Sequence, residues 1–226
     1  DIGVAPFTTN CGHCFFCLSG LTARCETGQL FGWVEDGAGL HGAQAEFVRV
    51  PMADSTLVAV PDGLDEAVAL LAGDILSTAA FGAELAGVQP GDLVVVVGCG
   101  PLGLLCVRAA LEKGACGVVA VDSVLSRLLL AGRFGATPVN FKTEEPFEVV
   151  MARSEGRGAD CAIEAVGSPE ATRTAAKLLR SGGSLAALGV HIEAHLALSP
   201  GEIYDRNLRY AGGRCSARHY MPAALR

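Results

Sequence analysis

The chain has 226 residues, 50% of them hydrophobic and 18% charged, enough apolar material for one large core or two unequal ones. Its formal net charge of -7, carried without a concentrated basic patch, excludes nucleic acid and anionic membrane as main partners, since neither surface attracts a net acidic protein. No apolar run reaches the roughly eighteen residues of a membrane span, and no basic segment precedes a short apolar one, so the expected compartment is the cytoplasm. The first residue is Asp1 rather than Met, which suggests a fragment or a trimmed product.

The segment up to about Gly73 is irregular and glycine-rich, with short β-like runs in AEFVRVP and LVAVPDG bounded by Pro and Gly. Within it, NCGHCFFCLSGLTARC sets Cys11, Cys14, Cys17 and Cys25 in the order Cys-x2-Cys-x2-Cys-x7-Cys. Four thiolates this close in sequence can close a tetrahedral shell around Zn²⁺, and a closed shell has no open position, so the expected role is structural. Paired disulfides are the competing reading; the spacing suits a metal, and the rest of the chain points to a reducing compartment. His13 lies inside the loop and is expected to be solvated. Cys99, Cys106, Cys116, Cys161 and Cys215 are scattered in apolar or loop settings, where a small buried hydrophobe is the commonest role.

From Asp74 onward apolar strands alternate with amphipathic stretches, the sign of βαβ units and a parallel sheet. Strands are expected at LVVVV from Leu93, GVVAV from Gly117, PVN near Val139, CAIEA from Cys161, SLAAL from Ser184 and LRYAG from Leu208. Six such strands make an α/β doubly wound parallel sheet, and the boundary between the two regions is expected within the helix after Asp74. The first strand runs into Gly98-Cys99-Gly100-Pro101-Leu102-Gly103 and then an apolar helix. In that context Gly98 permits a tight turn, Gly100 lets backbone approach a pyrophosphate, and Gly103 lets the helix pack closely on the strand. Asp122 ends the next strand, 19 residues after Gly103, where a carboxylate can accept from ribose hydroxyls; capping the following helix is its alternative role. Because Asp122 would repel a 2′-phosphate, NAD is favoured over NADP, a preference that Arg127, one turn into the following helix, works to weaken. Asp74, between AVALLAG and ILSTAAFG, is a carboxylate in an apolar neighbourhood and needs compensation, either as a helix cap or as a cation ligand. Thr78 projects from the same helical face.

The cysteine cluster, GAQAEFVRVP, GDILST, the Gly98 to Gly103 loop with Asp122, EAVGSPE and GGSLAALGV stand in an order that resembles zinc-dependent medium-chain dehydrogenases. The GDILSTAAFGA and GRCSARHYM stretches are most similar to bacterial-type alcohol dehydrogenases near the glutathione-independent formaldehyde dehydrogenases. The resemblance implies that residues 1–78 are the remainder of a β-rich GroES-like catalytic domain with a zinc lobe, and that 79–226 are a Rossmann dinucleotide-binding domain. It also implies an alcohol or aldehyde oxidoreductase, in which a catalytic zinc polarises the substrate oxygen while a hydride passes to NAD. By that resemblance Asp74 is the third protein ligand of the catalytic zinc and Thr78 contacts the nicotinamide ring. Leu102 presses that ring, and Gly167, Gly189 and Val190 line its site. Small-molecule alcohols or aldehydes are the expected substrates, and association through the last sheet strand gives a homodimer or homotetramer. The family's other catalytic-zinc ligands, a Cys and a His-Glu pair, belong upstream of the cysteine cluster. The far end stops inside the helix after the sixth strand, so the segment that returns to the catalytic domain is expected to be missing and the stretch to be inactive alone. Three competing readings are a non-catalytic dinucleotide-binding or sensor protein, a zinc-stapled interaction module, and a relative of zinc-free quinone reductases. The cysteine cluster and Asp74 argue against the last.

Overall fold

A computed structural model describes residues 2–226. The chain divides into two compact units: one runs to Phe81 and resumes over Arg214–Arg226, and the other is Gly82–Gly213. The division falls inside a helix, as the change of pattern after Asp74 predicts.

The first unit is mostly loop with short regular elements. Strand β1 (Gly3–Val4) pairs antiparallel with β4 (Val58–Ala59), and β2 (Trp33–Glu35) pairs with β3 (Ala38–Leu40). Helices α1 (Phe15–Leu18) and α2 (Ala53–Thr56) are single turns. Helix α3 (Glu66–Ala72) starts at Asp65, whose carboxylate accepts from the amides of Ala67 at 2.8 Å and Val68 at 3.2 Å, the ordinary N-cap device. Helix α4 (Ile75–Leu85) carries the division between the units. The AEFVRVP segment, expected as a strand, is irregular: among the described residues it has no ladder partner, and Phe47 is 92% exposed. β-propensity without a pairing surface does not make a strand. No single described helix is long and apolar enough to cross a membrane.

The second unit holds a six-stranded parallel sheet of β5 (Leu93–Val97), β6 (Gly117–Asp122), β7 (Thr137–Asn140), β8 (Ala159–Glu164), β9 (Leu179–Ala187) and β10 (Arg209–Gly212), in the order β10-β9-β8-β5-β6-β7. Every residue of β5 and β6 is buried, which fits their uninterrupted Val runs, since a parallel strand covered on both faces has no polar side. Crossovers are α5 (Pro101–Glu112), α6 (Leu125–Arg133), α7 (Pro146–Arg153), α8 (Pro169–Leu178) and α9 (Pro200–Arg206). β5 sits between β6 and β8. The order therefore reverses there, and a crevice opens outside the carboxyl ends of β5 and β8, where doubly wound sheets bind ligands.

After β10 the chain forms α10 (Ala217–Ala224). The sequence-based division at 79–226 assigned this stretch to the sheet, and the structure returns it to the first unit. The cause is apolar burial: Met221 and Leu225 are buried with Val4, Ala69 and Ala72, and Val58, Val60 and Leu64 pack against them. The helix after the sixth strand thus packs within the first unit. Met221 is 0% exposed, so Met221→Ala is expected to cost about 2–5 kcal/mol. Hydrogen exchange should then quicken in α3 and β4 while β5 and β6 keep their protection.

Candidate functional site

The Sγ atoms of Cys11, Cys14, Cys17 and Cys25 all lie within 4.8 Å of one another, and all four are free thiols, half-buried. A tetrahedral zinc shell with Zn–S of about 2.3 Å has sulfur–sulfur edges of about 3.8 Å, so modest inward movement closes it. The backbone already treats these sulfurs as acceptors: the Cys11 amide donates to Cys25 Sγ at 3.2 Å and the Cys14 amide to Cys11 Sγ at 3.3 Å. The amides of His13 and Cys14 lower the Cys11 thiol, and those of Glu26 and Cys17 lower Cys14. Burial works against ionisation of Cys25, but the Cys11 amide and Thr27 outweigh it. Burial and the neighbouring thiols push Cys17 up to about 12. Three sulfurs are thus inclined toward the thiolate that a metal requires, and the donor set fits zinc. His13 is exposed and hydrogen-bonds the Cys11 carbonyl at 3.0 Å, outside that set.

Asp74 and Thr78 come together as their spacing predicts, with the Thr78 hydroxyl donating to Asp74 Oδ1 at 3.2 Å. Asp74 is exposed, which removes the burial cost that made it conspicuous in sequence. Cys215, which the sequence reading treats as ordinary core, lies beside both: burial pushes its thiol up to about 12, with the Thr78 contact opposing and Asp74 adding to the rise. Among the described residues one group of side chains converges tightly enough to hold a metal, and it is the four cysteines without Asp74. The ligand set of a catalytic zinc is therefore not assembled by these described residues.

The glycine loop after β5 follows steric necessity. Gly98 has φ +92°, and a Cβ there would lie 2.5 Å from Val166 Cγ2. A Cβ on Gly103 would fall on the Gly98 carbonyl, so only glycine lets α5 approach the strand this closely. Gly100 caps α5 without a side chain, Pro101 occupies its first turn, and the space where a Gly100 Cβ would stand is open. The N-terminus of this helix faces that space with unpaired amides, a ready anion site. Leu102 is half-buried in the first turn.

Asp122 at the end of β6 is 7% exposed. Its Oδ2 accepts from the Cys99 amide at 2.7 Å, and its Oδ1 from the amides of Ser123 at 2.6 Å and Val124 at 2.8 Å. Burial opposes ionisation, but the amides of Cys99, Val124 and Ser123, with Arg127, outweigh it and hold the carboxyl below its usual range. Arg127 Nη1 is 3.7 Å from Oδ2, on a half-exposed side chain, where screening leaves an ion pair little energy. Asp122 therefore braces the glycine loop and caps the turn before α6, a larger structural role than its position in the sequence suggests. Gly98, Gly100, Asp122 and Arg127 share one cavity of about 610 Å³, which Phe141, Phe147, Glu145, Glu170 and Lys177 also line. A glycine turn at a helix N-terminus, an ionised acceptor and apolar side chains among the lining fit a dinucleotide. The two phenylalanines were not legible as site residues, since their rings reach the cavity only through the packing of β7 and α7.

Gly167 and Gly189 meet at the ends of β8 and β9: Gly167 has φ +86°, and a Cβ on Gly189 would fall on the Gly167 backbone. Val190 beside them is 84% exposed. The turn that contains Gly167 is held by Glu164, wholly buried, whose Oε1 accepts from the amides of Val166 at 2.7 Å and Gly167 at 2.6 Å. A carboxylate within the apolar strand CAIEA is the signal for it in the sequence.

If the cysteines hold zinc, elemental analysis of purified protein should find about one zinc per chain. Cys14→Ser should lose most of it, with faster hydrogen exchange over residues 9–28 and unchanged protection in β5 and β6. Fully folded, metal-free protein would contradict the assignment.

The zinc-binding dehydrogenase family matches residues 101–226 of the chain. Zinc-type alcohol dehydrogenase B of Aspergillus flavus is 42% identical across 100% of the chain and 53% of its own length. The structure of the alcohol dehydrogenase TADH from Thermus sp. ATN1 superposes with a TM-score of 0.93 at 34% identity, over 99% of this chain and 66% of that one. A zinc-binding dehydrogenase from Sinorhizobium meliloti, solved bound to NADP, superposes with a TM-score of 0.80 at 25% identity, covering 99% of this chain and 66% of that one. The chain thus spans about half of the fungal relative and about two thirds of the bacterial structures. The family match, the cysteine cluster and the glycine loop on a doubly wound sheet agree, and the chain belongs to the zinc-binding, medium-chain alcohol dehydrogenase family.

Proposed function

We propose that the chain is the cofactor-binding part, with a structural zinc lobe, of an oxidoreductase that transfers a hydride between an alcohol or aldehyde and NAD. The observation that carries this reading is the cavity at the sheet reversal, where the α5 N-terminus, Asp122 and the Phe141 and Phe147 rings converge. The bound nicotinamide supplies the hydride acceptor or donor. The amides at the start of α5 take the pyrophosphate, and the open space at Gly100 admits it. Asp122, ionised and with acceptor capacity beyond its three amides, takes ribose hydroxyls. Leu102, Gly167, Gly189 and Val190 are assigned to the nicotinamide end on the strength of the family resemblance. The four-cysteine shell, once filled, has no position for substrate, so its zinc is assigned a structural role. β10 lies at the edge of the sheet, and pairing of two such edges is the proposed route to a homodimer or homotetramer.

A second reading, a dinucleotide-binding protein without chemistry, draws on Asp74 gathering no further metal ligand among the described residues. Alcohol-dependent formation of NADH by the chain would eliminate it.

Cofactor choice tests the Asp122 assignment. NADH should bind better than NADPH, because a 2′-phosphate would meet a carboxylate offset only by Arg127. Asp122→Ser should narrow or reverse that preference and weaken NADH by about 1–3 kcal/mol. The ratio of the two affinities is the quantity to read, because Ser also releases the Cys99, Ser123 and Val124 amides, which weakens both cofactors alike. Equal affinities in the native chain, or an unchanged ratio in the variant, would contradict the assignment.

A further inference from the structure

His191 follows β9 and stands between two carboxylates. Its Nε2 is 3.0 Å from Glu164 Oε2 and its Nδ1 is 3.3 Å from Glu193 Oε2. A neutral imidazole has one N–H, so it can donate to one of these acids and must turn a lone pair toward the other. The imidazolium donates to both. Glu164 is 0% exposed and the His191 side chain 26%, so the inner contact is shielded from water and the outer one less so. Among the described residues Tyr210 on β10 also feels the Glu164 charge, which with burial raises its phenol.

The pair bears on the cavity through backbone. Glu164 holds the amides of Val166 and Gly167, and Ala165, Val166 and Ser168 of the same turn line the cavity. The Glu164 carbonyl accepts from the amides of Leu188 at 2.8 Å and Gly189 at 3.3 Å. One acidic residue thus ties the cavity wall to the strand end from which His191 projects.

We propose that His191, as an imidazolium clamped between Glu164 and Glu193, is a positioning residue that fixes the 165–168 wall of the dinucleotide cavity and links cofactor binding to one proton. This rests on the dinucleotide reading of that cavity. Burial works against the charged ring, but the hydrogen bonds and charges of Glu164 and Glu193 outweigh it, so its pKa lies above the ordinary 6.5. With the folded value raised, the clamp is fully present below about 6.5 and is lost as pH rises through the folded value. NADH affinity should follow the same course.

The test is NADH binding to the full chain between about pH 6.5 and about pH 9, together with an NMR titration of its labelled histidines, the His191 signal being identified by its loss in His191→Gln. The dissociation constant of the native chain should rise about fivefold across this range, with its midpoint at the His191 pKa, itself above 6.5. His191→Gln keeps one donor for Glu164 but cannot titrate, so its affinity should be flat with pH. A matching pH dependence in His191→Gln, a pH-independent native chain, or a His191 pKa at or below 6.5 would overturn the inference while leaving the dinucleotide reading intact. Absence of NADH binding at every pH, with His191 titrating normally, would overturn the dinucleotide reading and this inference with it.

Discussion

Where a parallel sheet ends, the backbone amides of the turns that leave its carboxyl edge lose their ladder partners, and in this chain buried carboxylates replace them. Asp122 at the end of β6 accepts from Cys99, Ser123 and Val124, and Glu164 at the end of β8 accepts from Val166 and Gly167. A buried amide left without a partner costs about 1–3 kcal/mol, so these two residues fix the turns that shape the crevice. They also settle its electrostatics. The Asp122 charge is spread over three amides and partly met by Arg127, and the Glu164 charge is met by two amides and His191. The crevice can therefore receive a pyrophosphate on the α5 N-terminus even though both strand ends carry acids.

The two units secure their folds by different means. The sheet unit buries Leu93, Val95, Val97, Val119, Val121, Ile163 and Leu185 almost completely, and hydrophobic burial of that extent needs no metal. The core of the first unit is small, built on Val4, Ala69, Ala72, Met221 and Leu225, and the segment around its cysteines is loop apart from single helical turns. A four-thiolate shell filled with zinc would do there what an apolar core does elsewhere, since the free energy of closing such a shell is folding free energy. The return of α10 adds Met221 to a core that would otherwise have little volume.

The features legible in sequence were those written in local pattern. Unbroken Val runs gave the central strands, the Gly98, Gly100 and Gly103 spacing gave the turn, and the cysteine spacing gave the convergence of four thiols, since each depends on residues close in the chain. Features that depend on distant partners were not legible. Met221 joins Val4 across nearly the whole chain, so assigning 79–226 to one domain follows naturally from the sequence and is still wrong about its end. The AEFVRVP run has strand propensity and no partner. Asp74 looked buried because its neighbours in sequence are apolar, yet it stands exposed at the break between α3 and α4. Glu164 was the reverse case: it lies within an apolar strand, satisfies the same criterion that singled out Asp74, and is the acid that is wholly buried. Its partner His191 stands 27 residues away, at a distance only the β8–β9 pairing closes.

The turn between β5 and α5, framed by Asp122, is the proposed anion site. The most direct measurement is to titrate the isotope-labelled chain with ADP-ribose and follow its backbone amide resonances. The largest shifts are expected at Gly100, Leu102 and Gly103 and around Asp122, with none at the cysteine cluster. Saturable shifts confined to other parts of the chain, or none at all, would contradict it.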